Sequence, residues 1–206
     1  RVLFERYTAA DVGIPSDEEY FTNLARRIGG RSGSPYRQAE SLYRFLLDEL
    51  EVDSEAPSSL REAVETGSCR AEDYGMLFVT LARALGIPSR PSAGFIVYGD
   101  KRTRNHIWAE FYLPHYGWVP VDPALGDGIG YISMPVEEPE SFYFGNMDNQ
   151  HITFSRHVVE IPKSNPHSIS RSISAPFSLQ SFWEEYQRAN EGYRSSWGDL
   201  RVIDWW

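Results

Sequence analysis

The stretch TGSCRAEDYGMLFVTLARALGIPSR, residues 66–90, joins the only cysteine of the chain to a strong helical pattern. From Tyr74 to Leu85, apolar side chains recur at intervals of three and four residues, which predicts a helix with a broad buried face. Gly86 and Pro88 end that helix. Cys69 lies at or just before its N-terminus, where free backbone N–H groups and the helix dipole favour a thiolate over a thiol.

Helical patterns also precede this stretch. Residues 17–28 carry apolar side chains at helical spacing and are followed by two glycines, a natural helix stop. A second helix is predicted to begin at Ser34-Pro35, a capping residue followed by a proline, and to continue to Leu47. A short helix is expected around residues 60–65. The N-terminal part of the chain is therefore predicted to be helical.

Strand patterns follow the opening stretch. Runs rich in aromatic and β-branched residues predict strands at 92–99, 106–113 and 118–122, and a further strand or hairpin at 149–161. The order of helices first and strands afterwards favours an α+β fold, in which N-terminal helices pack on an antiparallel β-sheet.

The last part of the chain has a different composition. Residues 163–181 are rich in Ser, Pro and Asn and predict a long loop, followed by a short helix at 182–188 and an aromatic tail that ends in Trp205-Trp206. We expect one core domain over residues 1–162 and a C-terminal extension over residues 163–206 that packs on it.

Composition limits the classes of partner. The chain has 206 residues and a formal net charge of -9, which argues against a nucleic-acid surface and against an anionic membrane surface. Its longest apolar stretch, residues 76–87, is interrupted by Arg83 and is too short to span a bilayer, so no membrane partner is expected within this segment. One cysteine excludes an internal disulfide. The compartment stays open, because the chain is compatible with the cytoplasm, with export, or with the extracytoplasmic part of a longer protein.

Two further polar residues occur where predicted strands begin and end. His106 opens one strand and Asp122 closes the next, and the short PHYGW connection between them predicts an antiparallel hairpin. If His106 pairs with Asp122, the carboxylate can accept the ring N–H, select the tautomer and stabilise an imidazolium. Together with Cys69 this set has the composition of a nucleophile triad. The alternatives are a buried inert thiol, a structural histidine and a turn-forming aspartate.

In the same register, three large side chains share the face of His106. Trp108 and Trp118 are candidates for shielding the histidine–aspartate pair from water, and Glu110 is a candidate for orienting a substrate amine. Ordinary core packing of the tryptophans and an ion-paired glutamate are the alternatives.

Several separated motifs resemble one known family. The spans GSPYRQAESLYRFL, TGSC, LFVTLARALGIPSR, HIWAEFYLPHYGWVPVDP and YFGNMDNQHITFSR resemble the transglutaminase-like superfamily, which has a papain-like fold, and in particular its bacterial core domains. The resemblance runs from about Ile28 to Arg156. It implies that Cys69 is the nucleophile, His106 the general base, and Asp122 the residue that orients the histidine.

The resemblance also implies a chemistry. In this family the thiolate attacks a carboxamide or peptide carbonyl and forms a thioester, and the acyl group then passes to water or to an amine. We expect protease-like or amidase-like hydrolysis rather than crosslinking, a protein or peptide substrate, and no cofactor or metal. A zinc site made from Cys69, His106 and Asp122 is the weaker alternative.

One departure from the family pattern affects the cysteine. Counted back from LGIP without a gap, the nucleophile position falls on Ala71; counted forward from TGSC it falls on Cys69, with two extra residues within RAED. Two residues turn a helix by about 200°. The sequence therefore leaves two hypotheses, a cysteine enzyme whose extra residues are absorbed before the helix, and a catalytically inactive binding module.

Overall fold

The computed structural model describes residues 1–57, 59–99, 101–129, 136–173, 175–186 and 200–204. Within these ranges the helices are α1 (Val2–Thr8), α2 (Glu19–Gly29), α3 (Pro35–Glu49), α4 (Leu60–Thr66), α5 (Ala71–Ala84), α6 (Pro123–Gly126) and α7 (Pro139–Phe142). The strands are β1 (Glu51–Val52), β2 (Ser68–Cys69), β3 (Ser89–Tyr98), β4 (Arg102–Leu113), β5 (Gly117–Val121), β6 (His151–Ser155), β7 (Ile169–Ile173) and β8 (Phe182–Tyr186).

The long predicted helices are confirmed, with ends set by local signals. α3 begins with Ser34 as its N-cap and Pro35 as its first residue, where the missing N–H of proline costs nothing. α4 is capped by the Ser59 side chain, which accepts a hydrogen bond from the backbone of Glu62. It ends at Gly67, whose φ of 72° suits a residue without Cβ.

A four-stranded sheet forms the second layer. Its strand order is β5-β4-β3-β6, and every neighbouring pair is antiparallel. α2, α3 and α5 supply much of the buried apolar cluster, and Phe111 of β4 and Val121 of β5 complete it. The predicted α+β class, with N-terminal helices packed on an antiparallel β-sheet, is confirmed.

The β4–β5 hairpin has a register that differs by two residues from the predicted one. Glu110 lies opposite Pro120 rather than Trp118, because the turn closes with Leu113 opposite Gly117. His115 and Gly117 both adopt positive φ in this turn. A shift of two residues leaves each side chain on the same face of the sheet. The predicted shared face is therefore correct, although the predicted direct pairing of His106 with Asp122 is wrong.

The C-terminal part differs from its prediction. A long loop at 163–181 and a helix at 182–188 were expected, but β7 and β8 form an antiparallel hairpin instead. Arg171 of β7 lies opposite Glu184 of β8 and forms an ion pair with it, a cross-strand contact that stabilises the hairpin. Residues 187 and 188 and the Trp205-Trp206 tail lie outside the described residues. The division into a core and an extension stays a prediction.

Within the described ranges, none of the helices combines the length and the apolar character that crossing a bilayer requires.

Close contact between α5 and β4 sets the position of the helix relative to the sheet. At Gly75 a Cβ atom would lie 2.9 Å from the carbonyl oxygen of Ile107 and 3.1 Å from Trp108 Cα. Only glycine allows the two backbones to approach this closely. Farther along the helix, the ring of Phe78 contacts that of Phe111 at 5.9 Å. Where they pack together, α5 and β4 therefore run in the same direction.

We expect Gly75→Ala to lower the free energy of unfolding by about 1–3 kcal/mol, because the added methyl group must push α5 away from β4. Denaturant unfolding followed by circular dichroism measures the change. Gly33→Ala is the control, since a Cβ there meets nothing within 4 Å. Equal stability of the two variants would contradict the proposed close packing.

Candidate functional site

His106 and Asp122 form a buried hydrogen-bonded pair. The imidazole Nε2 lies 2.7 Å from Asp122 Oδ2, and their side chains are 1% and 0% exposed. β4 carries the histidine, and the aspartate follows β5 directly. Although the two residues are not directly opposed, their elements adjoin, so the predicted contact between them is present.

The short helix α6 holds Asp122 in place. Asp122 is its N-cap, and Oδ1 accepts a hydrogen bond of 3.1 Å from the backbone N–H of Leu125. The backbone N–H of Asp122 donates to the Tyr143 carbonyl at 3.0 Å. Two interpretations of Asp122 were drawn from the sequence, a turn-forming residue and a partner of His106. The structure shows that Asp122 is both.

A second histidine, His151, completes the cluster and was missed by the sequence reading. Its Nε2 lies 3.0 Å from Asp122 Oδ2, and its Nδ1 lies 2.7 Å from Asp148 Oδ1. β3 separates the strands that carry the two histidines, so only the sheet order brings them together. The Asp148-x-x-His151 spacing was the one local signal available.

The charges of the cluster favour ionised carboxylates and a protonated His151. Burial alone would raise the pKa of Asp122, but the charge of His106 and the hydrogen bonds from both histidines hold it well below its usual range. Burial opposes protonation of His151, yet its hydrogen bonds to Asp122 and Asp148 raise its pKa to about 9. The pKa of Asp148 is lowered because the hydrogen bonds from His151 and Tyr143 outweigh the effect of burial.

Of the three large side chains predicted on the His106 face, only Trp108 touches the histidines. Its ring stacks on His106 at 6.1 Å and meets His151 edge-on at 5.0 Å. Trp118 instead contacts Arg90 and Tyr7. Trp108 thus covers one side of the histidines, and its role in shielding the pair from water stays a prediction, whereas Trp118 packs elsewhere.

Glu110 forms ion pairs rather than facing a ligand. Its Oε2 lies 2.6 Å from Arg90 Nε and 3.4 Å from Arg156 Nε. These contacts match the alternative in which Glu110 is ion-paired.

Cys69 lies in the core. It is the second residue of β2, pairs with Val52, and its side chain is fully buried in the main apolar cluster. Burial, followed by the negative charges of Asp73, Asp127 and Glu72, raises the pKa of its thiol to about 12. These surroundings favour the thiol over the thiolate that a nucleophile requires.

The first turn of α5 approaches His106 with other residues. α5 begins at Ala71, so Cys69 and Arg70 both precede the helix. Ala71 is four residues before Gly75 and therefore shares the face that packs on β4. Ala71 is the first residue of this face, and its neighbour Glu72 lines the cleft at His106.

An open cleft of about 380 Å³ adjoins His106. Glu72 contributes from α5, β4 contributes one wall, and the segment before β8 contributes the other. Among the described residues, those that line it are Glu72, Arg104, Asn105, His106, Ile107, Pro176 and Ser178. Cys69 is not one of them.

Three possible metal ligands also converge here. Within the described part of the chain, His106, Asp122 and His151 offer ligand atoms that all lie within 4.8 Å of one another. Cys69, which the zinc alternative included, does not belong to this group. The same atoms already form hydrogen bonds among themselves, so a cation would have to displace protons from both histidines.

Comparisons with known proteins agree with this architecture. The model of the transglutaminase-like superfamily matches residues 22–123. An uncharacterised protein of Haemophilus influenzae is 26% identical over an alignment that covers 63% of this chain and 44% of its own length.

Two solved structures are also similar. A candidate cysteine protease from Cytophaga hutchinsonii has a TM-score of 0.52 and 19% identity, covering 59% of this chain and 42% of that one. The periplasmic domain of TgpA from Pseudomonas aeruginosa has a TM-score of 0.49 and 21% identity, covering 59% and 46%. The chain spans less than half the length of each of these relatives. The first structure supports the papain-like and transglutaminase-like fold.

We expect Asp122→Asn to lower the free energy of unfolding by about 3–5 kcal/mol at pH 7. The amide removes the negative charge that His106 and His151 share and leaves a buried cation with one partner fewer. Chemical denaturation measures the loss, and Asp48→Asn on the exposed surface of α3 is the control. A change below about 0.5 kcal/mol, typical of surface substitutions, would show that the buried charge network is absent.

Proposed function

Because this chain belongs to the transglutaminase-like superfamily, we propose that it is a peptide-binding domain whose cleft beside His106 receives a peptide or a glutamine-like carboxamide without acyl transfer to Cys69. The observation that carries the proposal is the location of Cys69, buried in the apolar core and outside the cleft. A nucleophile must reach its substrate, and a thiol in these surroundings neither reaches the cleft nor ionises readily.

The identity of the first residue of α5 supports the same proposal. Ala71 is the first residue of the helix, where backbone N–H groups point out of the helix end. A methyl group there cannot attack a carbonyl. In the alignment counted back from LGIP, which places Ala71 at the position of the family's nucleophile, the site would therefore lack a nucleophile.

The cleft offers groups that suit a peptide. Asn105 and Ser178 can donate to and accept from amide groups, and Ile107 and Pro176 supply apolar contact. Glu72 and Arg104 add one charge of each sign. This mixture suits a main chain with polar side chains better than a purely apolar ligand.

Cysteine-dependent acyl chemistry is the second candidate, and the His106–Asp122 pair favours it. A histidine oriented by a buried carboxylate is the arrangement that a thiol nucleophile uses as its base. In this reaction the thiolate would attack a carboxamide or peptide carbonyl, form a thioester, and release ammonia or an amine. Water or another amine would then take the acyl group, with hydrolysis favoured over crosslinking. It requires Cys69 to leave the core.

The single cysteine makes thiol labelling a direct test. We expect native Cys69 to react with iodoacetamide at pH 7 at least about a hundredfold more slowly than an unperturbed thiol, whose pKa is about 8.5, and to react fully once unfolded. In a Cys69→Ser background, Ala71→Cys places a thiol at the start of α5, next to the cleft residue Glu72. That thiol should react faster at pH 7 than one introduced by Asn23→Cys on the exposed surface of α2.

The outcomes separate the two candidate functions. Rapid labelling of native Cys69 at pH 7, abolished by His106→Ala, would support the cysteine enzyme and overturn the binding proposal. A slow Cys69 together with a fast Ala71→Cys thiol supports an inactive site with Ala71 at the nucleophile position. An Ala71→Cys thiol no faster than the Asn23→Cys control would show that Ala71 does not face the histidine.

Binding is tested separately by titrating ¹⁵N-labelled protein with a pool of glutamine-containing peptides. We expect shifts in the backbone resonances of Asn105, Ile107 and Ser178, and their loss when Asn105→Arg fills the cleft. Shifts confined to residues outside the cleft would place peptide binding elsewhere.

A further inference from the structure

The two ring nitrogens of His151 both face carboxylate oxygens. Nε2 lies 3.0 Å from Asp122 Oδ2, and Nδ1 lies 2.7 Å from Asp148 Oδ1. A neutral imidazole has one N–H donor and one acceptor nitrogen, whereas an ionised carboxylate only accepts. Both contacts are hydrogen bonds at the same time only when both ring nitrogens carry protons.

The carboxylates themselves leave little room for a proton of their own. Asp122 Oδ1 accepts the Leu125 backbone N–H, and its Oδ2 lies against both histidines. Asp148 Oδ1 accepts the Gln150 backbone N–H at 2.8 Å, and its Oδ2 accepts the Tyr143 hydroxyl at 2.7 Å. Every oxygen of the two carboxylates therefore already faces a donor.

We propose that at neutral pH His151 is an imidazolium that bridges Asp122 and Asp148, and that it is a positioning residue for the His106–Asp122 pair. It shares Asp122 Oδ2 with His106, so it fixes the oxygen that orients the His106 ring. The positioning role rests on the proposed function of the cleft beside His106, whereas the bridge itself does not.

The groups around His151 come from several elements. Asp122 precedes α6, Asp148 lies in the segment before β6, and Tyr143 follows α7, with its ring 6.3 Å from that of His151. From β4, the rings of His106 and Trp108 lie at 6.0 and 5.0 Å. The two carboxylates stabilise the cation, and His106 opposes it only when it is itself protonated.

Stability should therefore depend on pH through this residue. The pKa of His151 is about 9 in the folded chain and about 6.5 when unfolded, so its stabilisation is complete below pH 6.5. It is lost as pH rises from 6.5 through 9. The difference in unfolding free energy between wild type and His151→Gln should shrink over that interval. The exposed His167→Gln serves as the control for the loss of a histidine from the surface.

Nitrogen NMR of the imidazole rings tests the bridge directly, without any need for cleft activity. At pH 7.5 we expect both nitrogens of His151 to be protonated, and we expect Asp148→Asn to shift its titration at least one pH unit lower. A His151 ring with one unprotonated nitrogen at pH 7.5 would overturn the proposal. So would Zn²⁺ binding at micromolar concentration that removes the Nε2 proton, since the cluster would then be a metal site.

The positioning role has its own readout. In the Cys69→Ser, Ala71→Cys background, Asp148→Asn should slow iodoacetamide labelling at pH 7 about tenfold, while His167→Gln leaves the rate unchanged. If Asp148→Asn changes the His151 titration and leaves labelling unchanged, the positioning role is wrong. If the Ala71→Cys thiol is unreactive in every background, the placement of Ala71 in the proposed function fails, and the NMR result alone decides the bridge.

Discussion

The site depends on the hydrogen bonds and charges that surround the buried carboxylate of Asp122. Removing an ionised carboxylate from water costs several kcal/mol, and the cost is tolerated only where hydrogen bonds and an opposite charge replace the lost hydration. Here Leu125, His106 and His151 supply them from α6, β4 and β6. The Asp122 carboxylate therefore connects the β4–β5 hairpin, the short helix α6 and the edge strand β6.

The close packing of α5 on β4 decides which residues of the helix border the cleft at His106. Gly75 lets the helix backbone approach Ile107, and this fixes how far the first turn of α5 extends along the strand. Glu72 then borders the cleft at His106, while Cys69 belongs to the strand before the helix and lies in the core. The histidine–aspartate pair therefore lies beside the cleft, while the cysteine lies in the apolar core.

Prediction succeeded where the governing interactions were close in sequence. The start of α3 at Ser34 and the end of α2 at Gly29-Gly30 depend on a few neighbouring atoms. The contact of His106 with Asp122 needs only a short turn and the two-residue alternation of strands. His151 was missed because it reaches Asp122 from a strand on the far side of β3. β8 was predicted as a helix because its pairing with β7, rather than its own composition, makes it a strand.

Periodicity, helix stop signals and five ordered motifs were enough to predict the α+β class, the family resemblance and the contact between His106 and Asp122. They also indicated two extra residues between Cys69 and LGIP, relative to the family pattern. They could not say whether the sulfur faced the core or the cleft, because the direction of a side chain just outside a helix is set by whatever packs around it. Pairing of β2 with β1 and the burial of Cys69 among residues distant in sequence decided that question.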